Sequence, residues 1–183
     1  MKRFTNHDLK EKLNIFNQPD LRLDHDLRFA VVKILNQVLV DEAVLSVKTF
    51  NAQWIGRSTN FLGMHVFYDI QHKQLDSISD EIVKRTLSLG GRAEDVDEGT
   101  SIYTRLSGQS MCGSQLQNLI ADHEAMIQFL QMDASVCSEE CNDKVTRNIL
   151  LDILCSHEKM VKMLSMKESA VPLLEEKILI YQE

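Results

Sequence analysis

The stretch from Asn60 to Gly91 constrains this chain more than any other. It reads NFLGMHVFYDIQHKQLDSISDEIVKRTLSLGG. Apolar residues recur at steps of three and four (Phe61, Met64, Tyr68, Leu75, Ile78, Ile82, Leu89), and no proline interrupts before the closing Gly-Gly. That spacing predicts one long helix over 60–91. A second, polar stripe runs beside the apolar one: His65, Asp69, His72, Asp76 and Asp80, at offsets 0, 4, 7, 11 and 15. At about 100° per residue these five fall within roughly 80° of arc. Imidazoles and carboxylates on one face suit a divalent cation, with oxygens for charge and nitrogens for borderline metals such as iron or zinc. The competing reading is a solvated charged face. The stripe projects to the edge of the apolar face, so a metal site there needs groups from another helix or another subunit.

A length of 183 residues is enough for one domain with a sizeable core. Breakers are scarce: two prolines and seven glycines, with Gly90, Gly91, Gly99 and Gly108 gathered in one central connection. The chain is therefore expected to be all-α. A net charge of −7 opposes binding to nucleic acid phosphate and suits a protein that gathers cations. The four cysteines (Cys112, Cys137, Cys141, Cys155) lack a CxxC zinc spacing and read as reduced thiols. No N-terminal segment has a signal-peptide pattern, and no run approaches the ~18 apolar residues of a membrane span. A soluble, cytoplasmic protein without a membrane partner is expected.

In chain order, residues 1–20 form a polar extension in which Asp8, Glu11 and Asp20 dilute Lys2, Arg3, Lys10 and Lys12. A first helix is expected from Asp24 or Asp26 to about Trp54, with Phe29, Val32, Leu35, Val38, Leu39 and Leu45 as its apolar face. Asp41 and Glu42 lie inside an apolar run and must find partners or keep to a helix edge. The short link IGRSTN makes the second helix antiparallel to the first and brings Gln53 and Trp54 toward His65. The long connection after Gly91 fits a crossover with room for a short helix of its own, and its acids Glu94, Asp95, Asp97 and Glu98 read as solvated surface. A third helix is expected from Ser114 to about Ala134, with Leu116, Leu119, Ile120, His123, Ile127 and Leu130 as its stripe. A fourth is expected from Asn142 or Asp143 to about Met166, with Leu150, Ile153, Leu154, His157, Val161 and Leu164. His123 and His157, each alone on an apolar stripe, read as hydrogen-bonded core residues before metal ligands. A tail over 168–183, carrying Pro172, is expected to dock on the bundle or on a neighbouring subunit.

Four helices over 21–167 with a crossover between the second and third give a ferritin-like bundle. An intrachain di-iron centre needs Glu-x-x-His on two helices, and the chain has none. A site shared between subunits remains.

Three segments resemble the Dps family of miniferritins. The first helix, LNQVLVDEAVLSVKTFNAQW, is similar to that family's LNxxLADExVLxxKTxNxHW. The second helix follows with Asn-Phe, a histidine, an acid four residues on, a second acid eleven later and a closing LGG. In the fourth, HEKMVKML resembles HEKxxWML. The resemblance spans about residues 27–166. It implies a hollow homo-dodecamer that takes up Fe(II), oxidises it with hydrogen peroxide or oxygen and stores ferric mineral, so limiting oxidative damage. Its ferroxidase sites lie at two-fold interfaces between subunits. Carried over, the metal ligands are His65, Asp69 and Asp80, with Trp54 beside the site.

Two positions depart from the family pattern. Gln53 stands where the first-helix histidine is expected, and Lys84 where a glutamate is expected. An amide oxygen is a weak ligand, and an ammonium one turn from Asp80 is placed to neutralise it and repel a cation. Weakened ferroxidase chemistry is expected, with His72 and Asp76 as a secondary metal site on the same stripe. The alternative is a cage without catalysis, serving as a scaffold or a shell for DNA or a partner. The resemblance allows DNA binding, but the charge and the weakly basic tail argue against it.

Overall fold

The computed structural model describes residues 23–55, 61–93, 104–106 and 114–180; for 54–55, 61–62 and 168–180 it describes the backbone alone. Four α-helices make up nearly all of it: α1 (His25–Ile55), α2 (Phe61–Ser88), α3 (Gln115–Glu139) and α4 (Lys144–Ile180). The polar extension 1–20 and the acidic cluster Glu94–Glu98 lie outside the described residues.

The helix ends follow from local chemistry. α2 closes on Leu89-Gly90-Gly91, where the Gly91 N–H donates to the Thr86 carbonyl at 3.0 Å and the Gly90 N–H to Leu87 at 2.9 Å. This is a Schellman closure, and Gly90 takes the left-handed conformation it needs, at φ 77°. Gly91 serves a different need: a Cβ there would stand 2.6 Å from a methyl of Val32, so its hydrogen lets the turn rest on α1. α3 starts at a capping box in which Ser114 accepts from the Gln117 N–H and the Gln117 side chain accepts from the Ser114 N–H. Asp143 caps α4, accepting from the N–H groups of Val145 and Thr146 at 3.1 and 3.0 Å.

The contacts between helices set the topology. Ser46 meets His72, and ten residues earlier on α1 Asn36 donates to the Arg92 carbonyl just past α2, so α1 and α2 are antiparallel. Lys48 meets Asp122 at 2.8 Å, while Arg105 joins Asp41 to Asp133, so α1 and α3 are antiparallel too. α2 and α3 therefore run parallel, and only a crossover can connect them. Arg85 on α2 meets Asp143 and Thr146 at the start of α4. The bundle's core is aliphatic, with Leu35, Leu45, Leu75, Ile82, Leu130, Leu150, Met160 and Leu164 fully buried from all four helices. At ~1.5–3 kcal/mol per fully buried aliphatic side chain, this core dominates the fold's stability.

Three sequence expectations need correction. Phe29 is 69% exposed and is not part of the apolar face; Val31 occupies the core instead. α3 runs past Ala134 to Glu139, because Cys137 continues the buried stripe one turn further. Its stop is Asn142, which takes φ 51° in place of a glycine. α4 continues past Met166 to Ile180, through Pro172, so the segment 168–180 extends the helix backbone. Whether that segment docks lies outside the described side chains.

Candidate metal centre

The bundle delivers its histidines and acids to two quite different places. One is the interior. Glu42, His123 and His157 are each fully buried. His157 Nε2 lies 2.7 Å from Glu42 Oε1, and His157 Nδ1 lies 2.8 Å from His123 Nδ1, so the three form one hydrogen-bonded chain across α1, α4 and α3. Desolvation, with the His157 ring beside it, pushes the His123 imidazole down to about 3, so His123 is neutral. Asp41, also fully buried, accepts from Thr104 Oγ1 at 2.8 Å, the Arg105 backbone N–H at 2.7 Å and Arg105 Nε at 2.6 Å. Arg105 also donates to Asp133 at 2.9 Å and lies over the Phe129 ring. The two acids in the apolar run thus find partners, and one of them pins the crossover to the bundle. The reading of His123 and His157 as hydrogen-bonded core residues matches this geometry.

The second place is the edge of α2. His65 and Asp69 are half-buried; Asp80 and Lys84 are exposed. Ser46 of α1 contacts His72 of α2, and seven residues further along α1 and seven back along α2 lie Gln53 and His65. By that register the two are level, as the short link predicts. Gln53 is 5% exposed. Trp54 lies in the last turn of α1, with its side chain outside the described residues.

Distances along α2 divide the stripe. At about 1.5 Å per residue, His65 and Asp69 are ~6 Å apart along the axis, whereas Asp80 lies ~16 Å beyond Asp69. One ion held by His65 and Asp69 is therefore out of reach of Asp80 on the same helix. In keeping with this, no group of three or more His, Cys, Asp or Glu side chains among the described residues is arranged to hold a metal.

A second lysine bears on the stripe beside Lys84. Among the described residues no ion pair joins Lys84 to Asp80, and both are exposed. Lys73 instead donates to Asp69 at 2.7 Å. That bond, with the charge of Lys73 and the neighbouring imidazoles, holds the Asp69 carboxyl below its ordinary range despite some desolvation. An exposed pair one turn apart contributes little, so Lys73 is a weak competitor for Asp69.

His72 and Asp76 are tied to α1. His72 Nδ1 lies 2.7 Å from Ser46 Oγ, and Ser46 Oγ donates to Asp76 Oδ1 at 3.1 Å. The sequence did not single out Ser46; the signal was available in its place one turn after Glu42, on the side of the first helix that faces the second.

The remaining functional side chains are quiet. Cys137, Cys141 and Cys155 are free thiols. Burial pushes the Cys137 thiol up to about 12, which makes it an inert core group. No helix of the described residues is long and apolar enough to cross a membrane.

Residues 32–167 match the family model of the ferritin-like domain. An uncharacterized low temperature-induced protein of Nostoc sp. is 26% identical over 149 residues, covering 79% of this chain and 83% of its own. A DNA protection during starvation protein of Porphyromonas gingivalis is 26% identical over 140 residues, covering 74% and 86%. Among solved structures, a Dps protein from Vibrio cholerae, described as a member of a broad superfamily of ferritin-like diiron-carboxylate proteins, superposes with a TM-score of 0.72. It is 21% identical, over 81% of this chain and 95% of that one.

Proposed function

The chain belongs to the ferritin-like domain family, and on that premise we propose that it is a Dps-like iron-handling miniferritin with a weakened ferroxidase site. The observation that carries this reading is the divided stripe. His65 and Asp69 form a half-site at the edge of the bundle, and Asp80 lies too far along the same helix to complete it. Two antiparallel copies of α2 bring Asp80 of each toward His65 and Asp69 of the other. The homo-oligomer this requires, a dodecamer by resemblance, is also supported by apolar side chains left exposed around the half-site: Val47, Phe50, Val66 and Ile70.

In this reading Fe(II) is the substrate. Two Fe(II) ions each give one electron to one hydrogen peroxide, which is reduced to two hydroxides as its O–O bond breaks. His65 supplies a nitrogen donor, Asp69 and Asp80 supply charge, and Gln53 offers a weak amide oxygen in place of an imidazole. Lys73 and Lys84 lower the negative potential that draws the cation in. The product is ferric iron held inside the cage, and the benefit is protection from peroxide.

The test is anaerobic loading with Fe(II), then addition of peroxide, following ferric absorbance and iron retained per chain. Oxidation above a protein-free control that is lost in Asp69→Ala supports the reading. No oxidation and no retained iron would overturn it in favour of a non-catalytic cage. Lys84, exposed beside Asp80 where the family pattern has a glutamate, is the observation that favours that second reading. A relative's name points to DNA protection, but a chain of net charge −7 is a poor match for phosphate.

A further inference from the structure

The interior holds polar atoms that the hydrogen-bonded chain of Glu42, His157 and His123 does not use. Among the described residues, Glu42 Oε2, His123 Nε2, Thr49 Oγ1 and both amide atoms of Gln71 are buried without a hydrogen-bond partner. Their residues are 0–1% exposed. All lie within the core of one chain, so a contact between copies neither covers nor opens them. In either protonation state of the buried chain, His123 Nε2 is left over at its end. It is a lone pair where the Glu42 carboxylate accepts from a neutral His157, and an N–H where His157 is the cation.

The register of the bundle brings three of these side chains together. Lys48 meets Asp122, so their neighbours Thr49 and His123 sit within about two residues of one level, ~3 Å along the axis. Ser46 meets His72, which sets Thr49 and Gln71 apart by the same small step. Arg85 meets Asp143; fourteen residues back along α2 is Gln71, and fourteen on along α4 is His157, so these two are level as well. Thr49, Gln71 and His123 thus face the core from three helices at one height. Their buried neighbours one turn away on the same helices are Leu45, Leu75, Leu119 and Met126. None of those offers a hydrogen-bond donor, and a thioether is only a weak acceptor.

Buried polar groups that no side chain satisfies are met by internal water, which makes about three hydrogen bonds, the number of side chains on offer here. Water both donates and accepts, so it suits either form of His123 Nε2. We propose that the core holds an internal water site at this level, in which an ordered water binds His123 Nε2, the Thr49 hydroxyl and the Gln71 amide. The buried chain then runs from Glu42 through His157 and His123 to the water and on to Gln71, and so joins all four helices. Thr49 and Gln71 are ligands of that water rather than bare polar groups in an aliphatic core. The site depends neither on iron nor on the assembly.

The test is a crystal structure of the full chain that resolves ordered water, with Thr49→Val, Gln71→Met and the double variant compared by thermal unfolding. A peak about 2.7–3.2 Å from His123 Nε2 and from a polar atom of Thr49 or Gln71 is expected, and it disappears in the double variant. Each single variant removes one hydrogen bond of the water and lowers the unfolding midpoint by ~2–4 °C. The double variant falls by less than the sum, because both changes lose the same water. A midpoint that stays or rises in the single variants would overturn the proposal, since apolar groups of the same shape relieve a core of bare polar atoms. So would strictly additive falls, which leave nothing shared between Thr49 and Gln71. In the crystal, no peak at this level, or direct hydrogen bonds among Thr49, Gln71 and His123, would overturn it too. A peak about 2.1 Å from Nε2 would do the same, because that is a metal ion's distance.

Discussion

Glu42, His157 and His123 in the interior, and His65, Asp69, His72 and Asp76 at the edge of α2, are built from the same residue types and behave oppositely. Inside, every group is fully buried, and each acid has at least one fixed protein partner. An ion entering there must give up its hydration in a low-dielectric interior. At the edge, the acids are held by a surface lysine and a serine hydroxyl, both cheap to displace or compatible with a ligand. Histidines and carboxylates in proximity do not make a metal site. What separates the two regions is whether solvent can trade places with an ion.

The comparison is tested first where the expected effect is largest. His157→Ala leaves the Glu42 carboxylate buried without its partner, and breaking a buried pair in this way costs ~3–5 kcal/mol. For a chain of this size that is a fall of roughly 6–20 °C in unfolding midpoint, at ~2–4 °C per kcal/mol. Metal binding at the edge is expected to survive in the folded fraction. Asp69→Ala should do the reverse, with iron oxidation lost and the unfolding midpoint nearly unchanged, as for surface substitutions generally. Thermal unfolding and an iron oxidation assay on both variants check the pair. An interior variant that lost oxidation while staying folded would break the distinction.

Next is the pH dependence. His123 titrates near 6.5 in the unfolded chain and near 3 in the folded one, because burial disfavours its cation. Between those values the unfolded chain binds the extra proton. Stability is therefore complete above pH 6.5 and declines as pH falls toward 3, at up to ~1.4 kcal/mol per unit. His123→Gln should flatten that slope in denaturant titrations between pH 7 and 4. An unchanged slope would mean that the buried chain takes up the proton elsewhere.

How much of this was legible in the sequence differs between the two regions. The helices, their crossover and most apolar stripes follow from periodicity, since a 3.6-residue repeat is a property of the chain alone. Phe29 was misplaced because a repeat identifies a face but not where along the helix that face loses its cover. The ends of α3 and α4 were set too early because Asn142 does a glycine's work and because Pro172 does not end the helix. The edge stripe was visible because all its members sit on one helix. The interior chain was not, since Glu42, His123 and His157 are far apart in sequence and only the packing of three helices joins them. Its signal was indirect: acids in an apolar run on one helix, and one histidine on each of two apolar stripes, are buried polar groups that need each other as hydrogen-bond partners.

A smaller effect sharpens the edge itself. Gln53→His with Lys84→Glu returns a nitrogen and a carboxylate to the positions the family pattern gives them. We expect at least a tenfold faster iron oxidation, which corresponds to ~1.4 kcal/mol. Lys84→Glu alone should recover only part of it, because Gln53 is level with His65 and still presents an amide where the ion needs an imidazole.

The smallest effect separates two lysines. Lys73 holds Asp69 at 2.7 Å, whereas Lys84 makes no ion pair with Asp80 among the described residues. If a lysine weakens the site by occupying a ligand, Lys73→Ala matters and Lys84→Ala does not. If it acts through the electrostatic potential felt by an incoming ion, both matter, and both effects shrink in salt because exposed charges are screened over about 8–10 Å. The exposed Lys73–Asp69 pair contributes little, so its removal is expected to raise Fe(II) affinity by about twofold and no more. Lys84→Ala is expected to give a similar gain at low salt and none at high salt. Titration of Fe(II) under anaerobic conditions at two ionic strengths reads both. A large gain from Lys73→Ala that persisted in high salt would show that the lysine competes as a bound ligand would. The edge would then be closed to ions in the resting protein, much as the interior is.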